Sequence, residues 1–143
     1  KPSSAASDVY KRQSLGHAAG DAVLSAIAEV LRSGVRDGDL VGRLGGEEFG
    51  VLMPRTDPDA ALALAEGLRA GIAALRLSFD GQPLRVTASI GVSVGGRADL
   101  RQLMVDADAA LYEAKRGGRD RVCRAAGPRA SAPPAALAGV PAG

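Results

Sequence analysis

In Arg43-Leu44-Gly45-Gly46-Glu47-Glu48-Phe49-Gly50-Val51-Leu52-Met53, apolar residues flank two glycines and two carboxylates. Leu40, Val41 and Leu44 lead into the glycines, and Phe49, Val51 and Met53 leave them in period-two alternation. That pattern predicts a β-hairpin with acid at its tip. Gly45 and Gly46 lack a Cβ, so the turn is free to take positive φ and a ligand can approach its backbone closely. Successive strand residues point to opposite faces, so Glu47 and Glu48 are not expected to serve one ion together.

Outward from the hairpin, Leu24, Ile27, Ala28 and Leu31 recur at helical spacing and predict a helix from Ala18 to about Gly34, with Asp21 in its first turn at the positive pole of the dipole. Arg36-Asp37-Gly38-Asp39 reads as the turn between helix and hairpin. Asp57-Pro58 is a helix start, followed by an apolar stripe of Leu64, Leu68, Ile72 and Leu75. Asp80-Gly81 signals a further turn. From Leu84 to Val94 buried and polar positions alternate, which predicts one long strand. A helix capped by Asp99 turns Leu100, Leu103, Met104, Ala107, Leu111 and Ala114 to its inner face. It ends on Lys115-Arg116 and is stopped by Gly117-Gly118. Arg121–Arg124 is expected as a short edge strand. This mixture predicts an α+β fold, an antiparallel-rich central sheet with packed helices.

The ends read differently. Residues 1–13 show no period and are expected to be foreign or disordered. Asp8–Gln13 can be spelled by codons matching a transposon-end adapter, so the native frame is expected to begin near Ser14. Residues 125–143 are Ala, Pro and Gly with few large apolar groups, and are expected to be a disordered tail. The body, 14–124, is read as one partial domain. The 143 residues suffice for a core, built from Leu, Val, Ile and Ala because aromatics are only 3%. A net charge of +2 is too small to argue for nucleic acid or an anionic membrane surface, and neither is expected as a direct partner. The single cysteine, Cys123, forms no internal disulfide, and no apolar run spans a bilayer, so a cytoplasmic setting is expected.

Five stretches in order resemble the GGDEF family, the bacterial diguanylate cyclases. These are Gly16-His17-Ala18-Ala19-Gly20-Asp21, Arg36-x-x-Asp39, Gly45-Gly46-Glu47-Glu48-Phe49, Ala88-Ser89-Ile90-Gly91-Val92, and Ala109-x-Leu111-Tyr112-x-Ala114-Lys115-x-x-Gly118-Arg119. The resemblance implies a nucleotidyl-cyclase or palm-like fold. It also implies condensation of two GTP into cyclic di-GMP and pyrophosphate, with Mg²⁺ (or Mn²⁺) as cofactor and a homodimer as the active form. By the same resemblance Glu47 and Glu48 are catalytic and Glu47 is the metal ligand. Asp21 reads guanine, Gly45 and Gly46 let the nucleotide lie on the hairpin, and Lys115 and Arg119 contact phosphate. Arg36 and Asp39 form an inhibitory product site. His17, Tyr112 and Met104 are read as packing residues.

One family element is absent. An Asp-x-Asp-x-Phe-Lys-x-x-Asn-Asp run should precede Gly16, but Ser4–Gln13 stand there and match none of its fixed residues. The first strand of the sheet is therefore expected to be missing, the fragment to be inactive, and the sheet to carry unpaired backbone groups. The alternative is a non-catalytic module that binds cyclic di-GMP through Arg36 and Asp39.

Overall fold

The computed structural model describes residues 16–95, 100–126 and 135–141. Three helices among them are α1 (Gly16–Gly34), α2 (Pro58–Ala73) and α3 (Leu100–Arg116). The strands are β1 (Leu40–Gly45), β2 (Glu48–Pro54), β3 (Leu77–Phe79), β4 (Gln82–Leu84), β5 (Ile90–Gly95), β6 (Val122–Arg124) and β7 (Ala135–Pro141). The main sheet has the order β1-β2-β7-β5-β6, and β3 with β4 makes a separate small hairpin. Asp80 and Gly81 turn that hairpin at positive φ, 51° and 77°.

The sheet separates two apolar layers because its strands alternate. Phe49, Val51 and Met53 of β2 and Ile90 and Val92 of β5 pack with Val23, Ile27 and Leu31 of α1 and with Ala61, Ala65, Leu68 and Ile72 of α2. Leu52 points the other way, onto Leu103 and Ala107 of α3. Asp57 caps α2 as its spacing predicts, accepting the Ala60 N–H at 2.9 Å, with Pro58 opening the helix. On the α3 face β5 presents only small residues. A Cβ on Gly91 would stand 2.2 Å from the Ala107 carbonyl oxygen and 2.3 Å from the Leu111 nitrogen. The Ser93 hydroxyl donates to the Leu103 carbonyl at 2.6 Å. The register places Gly42, Gly50, Gly139 and Gly91 side by side across four strands. This row adds no side chains of its own: the helix backbone of α3 packs on Gly91, and the Leu44 side chain folds over Gly50.

The central strand corrects two expectations. Ala135–Pro141, read from composition as part of a disordered tail, is β7 and pairs antiparallel with both β2 and β5. The position expected to be vacant is thereby filled. Composition misled because an inner strand is held mainly by two backbone ladders, and opposite Gly50 and Gly91 it needs no bulk. The long strand predicted from Leu84 to Val94 is also divided: Leu84 belongs to β4, and the main-sheet strand starts at Ile90. Val86 and Ala88 keep their buried alternation. Ser89, just before β5, is buried, and its hydroxyl has no hydrogen-bond partner among the described residues. Residues 1–13 lie outside the described residues. No described helix is long and apolar enough to cross a membrane.

Arg69 ties α2 to the loop after α3. Its Nε and Nη2 engage the Glu66 carboxylate at 3.0 and 2.5 Å, and its Nη1 donates to Asp120 at 2.6 Å. These bonds raise the Arg69 pKa and, with a smaller coulombic contribution from Arg69, hold the Glu66 carboxyl below its ordinary value. The tie closes a loop in which Arg119 and Asp120 both take positive φ, 65° and 47°, a conformation costly for residues with a Cβ.

Three outcomes are expected. Gly91→Ala should cost about 3 kcal/mol or more, because the methyl meets helix backbone that cannot yield; chemical denaturation measures it. Deleting residues 127–143 should abolish the cooperative thermal transition, since β2 and β5 both lose their partner. Arg69→Met should lower the melting temperature at neutral pH. A carboxylate with a depressed folded pKa stabilises above its unfolded value and loses that contribution as pH falls through the folded one. The gap between wild type and Arg69→Met should therefore narrow below about pH 4.5 in thermal melts across pH.

Candidate active site and distal arginine turn

β1 and β2 pair from Leu40↔Leu52 to Arg43↔Phe49, then shift to Gly45↔Glu48. The shift leaves Leu44 as an extra residue, so the tip is Gly46-Glu47 rather than the Gly45-Gly46 turn the sequence suggests. Gly45 (φ 151°) and Gly46 (φ 50°) both take conformations that L residues rarely adopt, which is why glycine stands at each. The Arg43 guanidinium grips the turn, donating to the Gly46 carbonyl from Nε at 2.9 Å and Nη2 at 2.5 Å. Sequence reasoning missed this arginine; its cue was a cation three residues before a turn carbonyl. Glu47 is half-buried at the tip. Glu48 opens β2 and by alternation shares the face of Gly50 and Leu52.

The register shows what else lies at this end of the sheet. Glu48 is opposite Pro141, and Gly91 is opposite Gly139, so the start of β5 is at the same end as the hairpin tip. There the Ile90 N–H donates to the Arg121 carbonyl at 2.9 Å. α3 runs antiparallel to β5, Leu103 against Gly95 and Leu111 against Gly91, so its C-terminus is here too. That terminus closes as a Schellman motif: Gly118 N–H to the Lys115 carbonyl at 3.4 Å and Arg119 N–H to the Ala114 carbonyl at 3.0 Å, with Gly118 at φ 118°. Lys115 and Arg119 are thereby fixed to one helix end. On the other face of the sheet, α1 and β1 border a cleft of about 220 Å³ lined by Ser25, Ala28, Arg32, Val41, Arg43 and Phe49. In this cleft the third turn of α1, Leu24 and Ser25, lies beside Arg43 of β1. Asp21 is exposed one helical turn before Ser25 on the same helix face. Because α1 begins at Gly16 rather than Ala18, Asp21 falls in the second turn and no acid occupies the first, so it is not the dipole-compensating charge the sequence suggests.

Glu47, Lys115 and Arg119 therefore lie at one end of the sheet, with Asp21 on α1 across the opposite face one turn beyond the cleft, whereas Arg36 and Asp39 lie at the other end. The six residues of β1 separate them by about 20 Å. The Asp39 carboxylate accepts the Arg36 backbone N–H at 2.9 Å and its Nε at 3.5 Å, and the Asp39 N–H returns to the Arg36 carbonyl at 3.0 Å. The Asp39 side chain is 2% exposed and that of Arg36 is 51% exposed. Arg36 Nη2 also donates to Thr56 Oγ1.

A divalent ion implied by the resemblance needs several hard oxygen ligands. Among the described residues no three His, Cys, Asp or Glu side chains form a group able to hold one. Glu47 offers one carboxylate at the tip, and the described side chains do not complete a metal centre.

The sequence matches the family model "Diguanylate cyclase, GGDEF domain" over residues 9–121, a span that begins inside the segment read as foreign. The chain is 46% identical over 118 residues to diguanylate cyclase DgcP of Pseudomonas aeruginosa, covering 80% of this chain and 18% of that protein. It is 50% identical over 111 residues to diguanylate cyclase DgcM of Escherichia coli, covering 77% and 26%. It thus spans only a minor part of these relatives. Among solved structures it is similar to diguanylate cyclase SiaD of Pseudomonas aeruginosa in complex with its activator SiaC (TM-score 0.75, 40% identity, 82% of this chain and 46% of that). It is also similar to the GGDEF domain of DgcB from Caulobacter crescentus in complex with c-di-GMP (TM-score 0.73, 31% identity, 78% and 68%). A third similar structure is the active GGEEF domain of a diguanylate cyclase from Vibrio cholerae (TM-score 0.72, 32% identity, 85% and 77%). With the family model matched over most of its length and the same fold in each neighbour, the chain belongs to the GGDEF family.

Proposed function

We propose that this chain carries the GTP-binding end of a diguanylate cyclase, a transferase that joins two GTP into cyclic di-GMP and releases two pyrophosphates. The observation that supports it is that Glu47, Lys115 and Arg119 lie at one end of the sheet, with Asp21 on α1 across the opposite face. Each residue type suits its part. The Asp21 carboxylate accepts from the adjacent N1–H and exocyclic amine of guanine. Lys115 and Arg119 donate to phosphate oxygens, and Arg119 does so from a loop whose geometry Arg69 enforces. Gly45 and Gly46 remove side chains from the surface on which the nucleotide lies. Glu47, and beside it Glu48, set negative oxygen near the attacking 3′-hydroxyl. Such transfers depend chiefly on positioning and charge neutralisation.

Mg²⁺ or Mn²⁺ would neutralise phosphate charge, and the chain contributes Glu47 toward it. Each ring closure needs two 3′-hydroxyls attacking two α-phosphorus atoms, so two copies face each other with one GTP apiece. The substrate is a cytoplasmic nucleotide, which sets the domain in the cytoplasm. Arg36 and Asp39, remote from this end, take the product and report its level.

The 143-residue chain should itself be inactive, because Ser4–Gln13 supply none of the acids or the lysine the family places before Gly16. Grafting Asp-x-Asp-x-Phe-Lys-x-x-Asn-Asp onto those positions should yield cyclic di-GMP from GTP and Mg²⁺, read by chromatography. Glu47→Ala in the grafted chain should lower kcat by about a hundredfold or more, as loss of a charge-stabilising group does. A grafted chain that neither binds GTP nor forms product would reject the assignment.

A further inference from the structure

Arg36 is exposed, and an arginine side chain held by nothing has about 2 kcal/mol of rotamer entropy to lose when it captures a ligand. Here it is tethered before any ligand arrives. Thr56, in the turn between β2 and α2, is 1% exposed, and its Oγ1 accepts from Arg36 Nη2 across twenty positions of sequence. The threonine hydroxyl has one proton, and that proton is committed to the Pro54 carbonyl at 3.0 Å. Oγ1 therefore faces Arg36 only as an acceptor. On the other edge of the guanidinium, Nε leans on Asp39 at 3.5 Å. Contacts on these two atoms fix the plane of the group, while Nη1 has no hydrogen-bond partner among the described residues and half of the side chain stays open to solvent.

We infer that Thr56 is a positioning residue for the Arg36–Asp39 site, holding the arginine fork in the orientation that receives the planar, anionic edge of a cyclic dinucleotide. The inference rests on the assignment of Arg36 and Asp39 to product binding. Thr56 touches no ligand itself; it acts by removing the ordering cost that Arg36 would otherwise meet on binding. The same bond ties the turn before β1 to the turn after β2, so an occupied site would also brace both outer ends of the hairpin whose tip carries Glu47.

The test is calorimetric titration of the 143-residue chain with cyclic di-GMP, together with ¹⁵N relaxation of the Arg36 Nε–Hε group. Thr56→Val keeps the shape and removes the acceptor. It should weaken binding about tenfold, the equivalent of one well-made hydrogen bond, and lower the Arg36 order parameter. Thr56→Ser keeps the hydroxyl and should restore both. Arg36→Ala should abolish binding, and Thr56→Val should then cost nothing more. Unchanged affinity and unchanged Arg36 order in Thr56→Val, with Arg36→Ala still defective, would overturn the positioning role alone. Equal affinity in wild type and Arg36→Ala, or none in wild type, would overturn the product site and this inference with it. Should Thr56→Val lower the melting temperature, Thr56→Ser decides: wild-type affinity supports the hydroxyl, and a Val-like loss rejects it.

Discussion

Everything in this fold depends on the ladder through its middle. β2 and β5 hold most of the apolar side chains that α1 and α2 cover, yet they do not touch each other. Each offers a row of N–H and C=O groups toward a space one strand wide. Left open, that space would bury unpaired backbone at a cost of about 1–3 kcal/mol for each group. β7 fills it with a ladder on both sides, from Pro54↔Ala135 to Glu48↔Pro141 and from Gly95↔Ala135 to Gly91↔Gly139. Its neighbours are narrow at its centre, where glycine meets glycine meets glycine, and the same absence of side chains brings α3 onto Gly91. Backbone pairing and helix packing therefore rest on one row of residues.

That ladder also sets the geometry of the chemistry. Strand register fixes which residues share an end, and it assigns the acidic hairpin tip and the cationic end of α3 to one rim of the sheet. The arginine turn belongs to the opposite rim, a strand's length away. The two rims are joined by β1 and β2, whose outer ends are tied by Arg36 to Thr56 and whose tip is gripped by Arg43 on Gly46. A ligand at the far rim has no direct contact with the tip. Within the chain, the described connection between the two rims is the hairpin itself.

Much of this was legible in the sequence because local chemistry specified it. Asp57-Pro58 could only start a helix, Gly117-Gly118 could only stop one, and alternation from Phe49 to Met53 named the buried face. The misreadings arose where a distant partner decides. Leu84 to Val94 alternates throughout, but Leu84 pairs with Leu77 in the small hairpin while the main-sheet strand begins at Ile90, a division that alternation alone does not show. Ala135–Pro141 carries little hydrophobic signal of its own, and its strand state comes from the two edges waiting for it. The hairpin tip moved by one residue because a bulge at Leu44, invisible in alternation, shifted the register. Arg43, Thr56 and Arg69 escaped notice for the same reason: each acts on a backbone or side chain that spacing does not reveal.

The central position also constrains how this chain relates to a complete domain. The family's first strand precedes α1, whose third turn lies beside Arg43 near the hairpin tip, so that strand would run toward the tip. β7 runs the same way, with Pro141 opposite Glu48. Two strands of one direction cannot share one pair of ladders. A strand of the family's pattern before Gly16 and the Ala-rich β7 would thus compete for a single space, and they differ in what they would bring to the rim. The family strand would deliver a carboxylate beside Glu47; β7 delivers a proline. Filling the sheet restores backbone pairing in either case, but only the first completes the ligand set at the tip. Folding and the ligand set at the tip lean on the same space, and β7 closes the ladder without adding an acid to the rim.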